Sequence, residues 1–178
     1  MAPKTLPSRD LVRQLLNYDP ASGEFTWRHR PQEMFPTFKG FKIWNGKYAD
    51  KKAGGTMTRG YRTITVEYES FLGHRLAWLL MHGEPVPAQI DHINRNPSDN
   101  RISNLRAATY SQNIANTGMW SHNRSGFRGV HSYFNRFYAQ IRHEGRTIYL
   151  GSFLTIEEAR DAYRAAAVRL FGEFANTD

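Results

Sequence analysis

Between Ile90 and Asn113 the chain reads I-D-H-I-N-R-N-P-S-D-N-R-I-S-N-L-R-A-A-T-Y-S-Q-N, and no other stretch limits the fold so strongly. Ala88 to His92 has the pattern of a short strand, and residues 94–103 form a long polar loop. Leu105 to Ala108 is a second short strand. Thr109-Tyr-Ser-Gln112 then has the form of a capping box, in which a hydroxyl and an amide satisfy the first free N–H groups of a helix. The predicted order is strand, loop, strand, helix. Asp91 and His92 end the first strand, and Asn113 falls in about the first turn of the helix. A carboxylate and an amide oxygen suit a hard divalent cation, and a histidine beside them suits proton abstraction near neutral pH.

Composition narrows the chemistry. The chain of 178 residues has no cysteine, so disulfides and thiolate zinc sites are excluded and any metal must sit on nitrogen or oxygen. With 40% apolar residues it can build one ordinary domain or two small ones. No apolar run approaches the length of a membrane span and no signal-peptide core is visible, so the expectation is a soluble, non-secreted, cytoplasmic protein. The formal net charge of +8 points to a polyanionic partner. Its distribution is uneven: 16 Lys/Arg against 10 Asp/Glu over residues 1–116 (+6), 5 against 1 over 117–150 (+4), and 3 against 5 over 151–178 (−2).

Upstream of the motif, Ser8 is placed to cap a short helix with Leu11, Leu15 and Leu16 on one side, ended by the turn residues D-P-A-S-G at 19–23. Glu24 to Arg28 and Tyr61 to Val66 alternate as strands, with a short strand through Leu72 to follow. Residues 30–55 lack a clear period. His74 to His82 reads as a short, deeply buried helix stopped by Gly83, and His74 itself as an ordinary residue of its first turn. Residues 117–125 read as a linker. Beyond it, Arg128–Tyr133, Phe137–His143 and Arg146–Phe153 are strand-like. A second capping box at Thr155–Glu158 opens a helix running to Phe171.

The motif I-D-H-I-N-R-N-x-x-D-N-R-I-x-N-L-R-x-x-T-x-x-Q-N closely resembles the HNH endonuclease family, in the form found in phage and intron-encoded homing endonucleases. The upstream H-R-L-A-W and L-N-Y-D-P-A-S-G-E-F-T-W segments look similar to the same subgroup, so the resemblance covers roughly residues 10–116. It implies a ββα-metal nuclease region with His92 as general base, Asp91 and Asn113 as metal ligands, and Asn104 as the middle asparagine that braces the loop or orients the base. Asn100 is a rival for that place, but the following Leu105 favours Asn104. Asparagine at the last position, where relatives often carry histidine, favours Mg²⁺ (or Mn²⁺) over tightly held zinc.

The last third, G-F-R-G-V-H…F-Y-A-Q-I-R…I-Y-L-G-S-F-L-T-I-E-E-A-R-D-A-Y-R-A-A-A, is similar to the DNA-binding domain of plant ethylene-response factors (the Apetala/ERF type). That resemblance implies a three-stranded antiparallel sheet backed by one helix, its sheet face in the major groove. The positions that would touch DNA are Arg128, His131, Arg136, Phe137, Gln140, Arg142, Arg146 and Tyr149. Two tryptophans of the plant domain are replaced by Phe137 and Tyr149 and an arginine by His131, so base preference does not carry over.

The resulting expectation is an α+β protein. A nuclease part over residues 1–116 is joined by the linker 117–125 to a DNA reader over 126–178. Its partner is double-stranded DNA, its cofactor a divalent ion, and its state a monomer or homodimer with no other protein implied. Homing or nicking activity fits this reading; the alternatives are a non-catalytic DNA-binding regulator and, more remotely, an RNA-binding module.

Overall fold

The computed structural model describes residues 5–58, 60–119 and 123–177. The chain forms two compact units, Met1–Arg106 and Ala107–Asp178. Among the described residues no helix is long and apolar enough to cross a membrane.

In the first unit, α1 (Arg9–Leu15) begins where the Ser8 hydroxyl accepts from the Leu11 N–H, as its sequence predicts. It buries Val12 and Leu15 and runs straight into β1 (Leu16–Asp19), which pairs antiparallel with β2 (Glu24–Trp27). β1 is a strand where the sequence suggests only the end of a helix. Helix α2 (Phe38–Tyr48) occupies part of the stretch that lacks a period. It is held from outside: Asn45 is buried, accepts from the Arg30 N–H at 2.9 Å and donates to the Arg30 carbonyl at 2.9 Å, while the Arg30 guanidinium lies 3.9 Å from the centre of the Trp44 ring.

β3 (Thr56–Thr58), β4 (Tyr61–Val66) and β5 (Glu69–Leu72) form an antiparallel meander. Alternation along β4 puts Ile64 and Val66 into the core. α3 (Gly73–His82) follows at once and buries Leu76, Ala77, Leu79 and Leu80 on more than one side, which makes it the centre of the first core. β6 (Gln89–His92) pairs with β7 (Leu105–Ala108), and the unit boundary falls inside β7.

The second unit opens with α4 (Tyr110–Asn116), capped by Thr109 in the predicted capping box. β8 (Val130–Tyr133), β9 (Arg136–His143) and β10 (Arg146–Phe153) form one antiparallel sheet with β9 in the middle. α5 (Ile156–Phe171), with its own capping box at Thr155, buries Ala159, Tyr163, Ala166 and Ala167. Small alanine side chains let the helix approach Ala139 and Ile141 of the sheet closely.

Within the second unit the end of α4 is closed by Arg128, whose guanidinium donates to the carbonyls of Ile114, Ala115 and Thr117 at 2.6–2.8 Å. Asn176 adds a bond to the Thr117 carbonyl at 2.9 Å. The unsatisfied carbonyls at the end of α4 are thus capped from the second unit's own chain. Of the expected linker, residues 120–122 lie outside the described residues.

Candidate active site

β6 presents Ile90, Asp91 and His92, all buried, at its C-terminal end. A buried carboxylate needs a partner, and Asp91 has one on β7: its Oδ2 accepts from Arg106 Nε at 2.8 Å. His92 points its Nε2 at the Asn100 side-chain oxygen, 3.4 Å away. Its ring packs edge-on against His74 of α3, centres 5.0 Å apart, and beside Tyr61 of β4 at 5.9 Å. Two elements distant in sequence, α3 and β4, and the loop after β6 therefore surround the imidazole. Burial pushes His92 below the ordinary imidazole value, against the opposing pull of Asn100, Asp91 and Asp99, and this keeps it neutral near pH 7.

The two asparagines have separate places. Asn104 ties the loop together: its Oδ1 accepts from the Asn94 N–H at 3.0 Å, and its Nδ2 donates to Asn94 Oδ1 at 3.0 Å and to the Asp99 carbonyl at 2.9 Å. Asp99 receives Arg101 on both oxygens and Asn94 Nδ2 on one, and the Arg101 bond, ahead of the others, takes its carboxyl down to about 2. Asn100, which sequence reasoning sets aside, is the one that meets His92. Its main chain is pinned by the Tyr18 hydroxyl, which donates to the Asn100 carbonyl at 2.7 Å. The β1–β2 turn presses on the same spot. Gly23 there has φ +72°, and a Cβ on it would lie 2.6 Å from the Asn100 carbonyl carbon.

Residues 71–115 match the family model described as HNH endonuclease. This segment resembles an HNH endonuclease domain. Over 104 residues the chain is also 36% identical to an uncharacterized HNH endonuclease of Acanthamoeba polyphaga mimivirus, a match that takes in 57% of this chain and 54% of the relative. The chain thus spans about half the length of the curated relative it resembles. The HNH segment includes α3, β6, the loop and β7, and so both His74 and Asn100, whereas Tyr61 lies outside it.

Among the described residues no group of three or more His, Asp or Glu side chains is arranged to hold a metal. Mg²⁺ does not require one, because it keeps several waters and substrate oxygens and takes only one or two protein oxygens. Asp91 fits that demand: Arg106 fixes Oδ2, and the carboxylate is oriented by this bond. Asn113 lies in α4 of the second unit, its N–H bonded to the Thr109 carbonyl at 2.9 Å in the helix's first turn. A carboxylate and an amide oxygen are hard donors suited to Mg²⁺ or Mn²⁺.

In the second unit, pairing register sorts the predicted DNA contacts by face. His131, Arg136, Gln140, Arg142 and Tyr149 occupy the sheet face turned away from α5. Gln140 Nε2 lies 3.0 Å from His131 Nε2, and Arg136 donates to Ser152 Oγ at 2.6 Å. Phe137 is on the opposite face, packed with Ala139 and Val130 against the helix. Arg146 pairs with His143 at the hairpin end, and Arg128 is engaged by the α4 carbonyls.

Proposed function

We propose that this protein is a metal-dependent DNA endonuclease, with His92 as its general base and the outer face of the second unit's sheet as a DNA-reading surface of the Apetala/ERF kind. The observation that carries the reading is a neutral, buried histidine at the end of β6, beside a buried carboxylate, inside an HNH segment. With Asn100 Oδ1 facing Nε2, only the Nε2–H tautomer forms that bond, and the His92 lone pair then lies on Nδ1.

The chemistry is phosphodiester hydrolysis. His92 Nδ1 takes a proton from water as its oxygen attacks the scissile phosphorus in line. The bond from phosphorus to the 3′ oxygen breaks, and solvent returns a proton to that oxygen, leaving a 5′ phosphate and a 3′ hydroxyl. A divalent ion on Asp91 and Asn113, in a ββα-metal arrangement, would supply positive charge at the phosphate. Asn104 keeps the loop in shape, and Arg106 holds the Asp91 carboxylate in orientation. On the second unit, Gln140, Arg142, His131 and Tyr149 form a polar and aromatic strip suited to base edges and phosphates.

The test is incubation with supercoiled plasmid and Mg²⁺, with EDTA as control. Open circles would show nicking and linear product double-strand cleavage. Unchanged plasmid with Mg²⁺, or equal cleavage in EDTA, would refute the reading. General-base catalysis is worth about 10²–10⁴ in rate, so His92→Ala should lose at least about a hundredfold in cleavage while DNA affinity stays within a few-fold.

A further inference from the structure

The turn between β4 and β5 is built from residues that resist it. Val66 pairs with Glu69, so Glu67 and Tyr68 are the two loop residues, with φ of +47° and +67°. Two-residue hairpins of this kind favour Asn-Gly, because an L side chain in the left-handed region crowds its own backbone. The β9–β10 hairpin obeys that preference at its second position, where Gly145 has φ +79°. Tyr68 does not. Its side chain is fully exposed, so packing does not offset the strain, and strain kept without packing points to a use outside the fold.

Tyr68 helps to line an open cleft of about 710 Å³, together with Trp27, Arg30, Phe35, Trp44 and Tyr48. A cleft of this size takes a ligand as large as a nucleotide. Its lining is chiefly flat: the Arg30 guanidinium lies 3.9 Å from the centre of the Trp44 ring and 5.2 Å from that of Trp27, and the Tyr48 ring is 5.4 Å from Trp44. Aromatic faces and a guanidinium plane can stack any base. Glu67 also lines the cleft, and its carboxylate can accept from a base N–H. The surrounding charge selects a polyanion. Residues 28–52 hold 7 Lys/Arg against 2 Asp/Glu, which is +5 of the +6 carried by residues 1–116. Among the described residues of α2 only Asn45 is buried, and Phe38 and Ile43 are more than half exposed. Lys42 lies over the Phe38 ring at 4.8 Å and Lys47 over the Tyr48 ring at 5.1 Å. Rings interleaved with cations suit a single strand, whose bases stack while its phosphates meet ammonium groups.

We propose that this cleft is a stacking site for an unpaired nucleobase of a DNA strand, with Tyr68 and Trp44 as its rings and the lysines of α2 on the neighbouring phosphates. That the strand is DNA rests on the nuclease reading, and the site makes DNA with unpaired bases the substrate class. The test is binding by the full-length protein in EDTA, where cleavage plays no part. An oligothymidylate of about 12 nucleotides, within the usual span of a single-strand site, should bind and quench tryptophan fluorescence through Trp27 and Trp44. An abasic deoxyribose-phosphate strand of the same length keeps the phosphates and loses the bases. Stacking is worth a factor of about 5 to about 150 per base, so the abasic strand should bind at least about fivefold more weakly, with little quenching.

Tyr68→Gly separates binding from folding. Glycine takes φ +67° without strain, so the urea midpoint should hold or rise while affinity for the oligothymidylate falls about fivefold or more. Trp44→Leu keeps apolar bulk beside Arg30 and should lose as much, whereas Trp44→Phe keeps a ring and should stay within about twofold of wild type. Wild-type affinity in Tyr68→Gly, or an abasic strand bound as tightly as the oligothymidylate, would overturn the proposal. So would self-association that Tyr68→Gly abolishes at unchanged DNA binding, which would give the cleft to a second copy of this chain. If Trp44→Leu does not fold, Tyr68→Gly and the abasic strand decide alone. Binding through Tyr68 without plasmid cleavage would count against the nuclease reading and leave the stacking site standing, and cleavage without such binding would do the reverse.

Discussion

His74 shows how far a single residue's role depends on what encloses it. Burial, then the neighbouring His92 and Arg75, push its imidazole down to about 3 from an ordinary 6.5. His92 is shifted the same way, chiefly by burial. In the unfolded chain each ring takes up a proton near pH 6.5, whereas in the folded chain the uptake at His74 waits until about pH 3. Between these values the unfolded state binds more protons. The stability that comes from burying His74 neutral is therefore complete above pH 6.5 and is lost as the pH falls toward 3. The slope is at most about 1.4 kcal/mol per pH unit for one such group. Urea unfolding at pH 7 and pH 5 should show wild type losing more stability than His74→Phe over that interval. Equal losses would mean that His74 is not held neutral by the fold. In the sequence His74 is an ordinary first-turn helix residue, since one histidine at a helix start carries no sign of what will pack over it. Asn100 is obscure for a similar reason: the Leu105 that follows Asn104 marks a family position, and nothing in the spelling D-N-R says which way the asparagine turns.

At the scale of elements, local chemistry was a good guide wherever an element carries its own instructions. The capping boxes at Thr109 and Thr155, the alternation of Tyr61–Val66 and the strand-like run Arg146–Phe153 all specify structure within a few residues, and the fold follows them. β1 and α2 were not legible. β1 continues directly from α1 without a breaker, and β2 pairing decides its conformation. α2 contains Gly40 and Gly46, which lower its intrinsic helix preference, and its support comes from Arg30 and Trp27 outside it. The end of α4 makes the same point with a measurable outcome. Charge-assisted bonds are worth about 1.5–3 kcal/mol, so Arg128→Ala, which strips the α4 carbonyls of their cap, should destabilise the protein by about 2 kcal/mol in urea unfolding. If stability is unchanged while the salt dependence of DNA binding falls, Arg128 is serving phosphate instead.

Over the whole molecule, the charge of +8 and the exposed Gln140–Arg142 strip support the DNA-reading surface proposed for the second unit's sheet, which a salt titration tests. Each phosphate contact contributes about −0.9 to the slope of log K against log salt on duplex DNA. Arg142→Ala should reduce that slope by about one contact or relax the preferred site, and a variant that changes neither refutes its contact. By itself the sequence determined the α+β class, the strand–loop–strand–helix order of the HNH segment, the sheet and helix of the second unit, and the placing of Asp91 beside His92. These depend on periodicity, caps and adjacency, which act over a few residues. Only the tertiary structure decided that His74 and Asn100 enclose His92, that Asn104 braces the loop, that Phe137 faces the helix, and that Arg128 closes α4. Those outcomes rest on contacts such as Tyr18 to Asn100, 82 positions apart, where burial and hydrogen-bond satisfaction are settled by the packed whole.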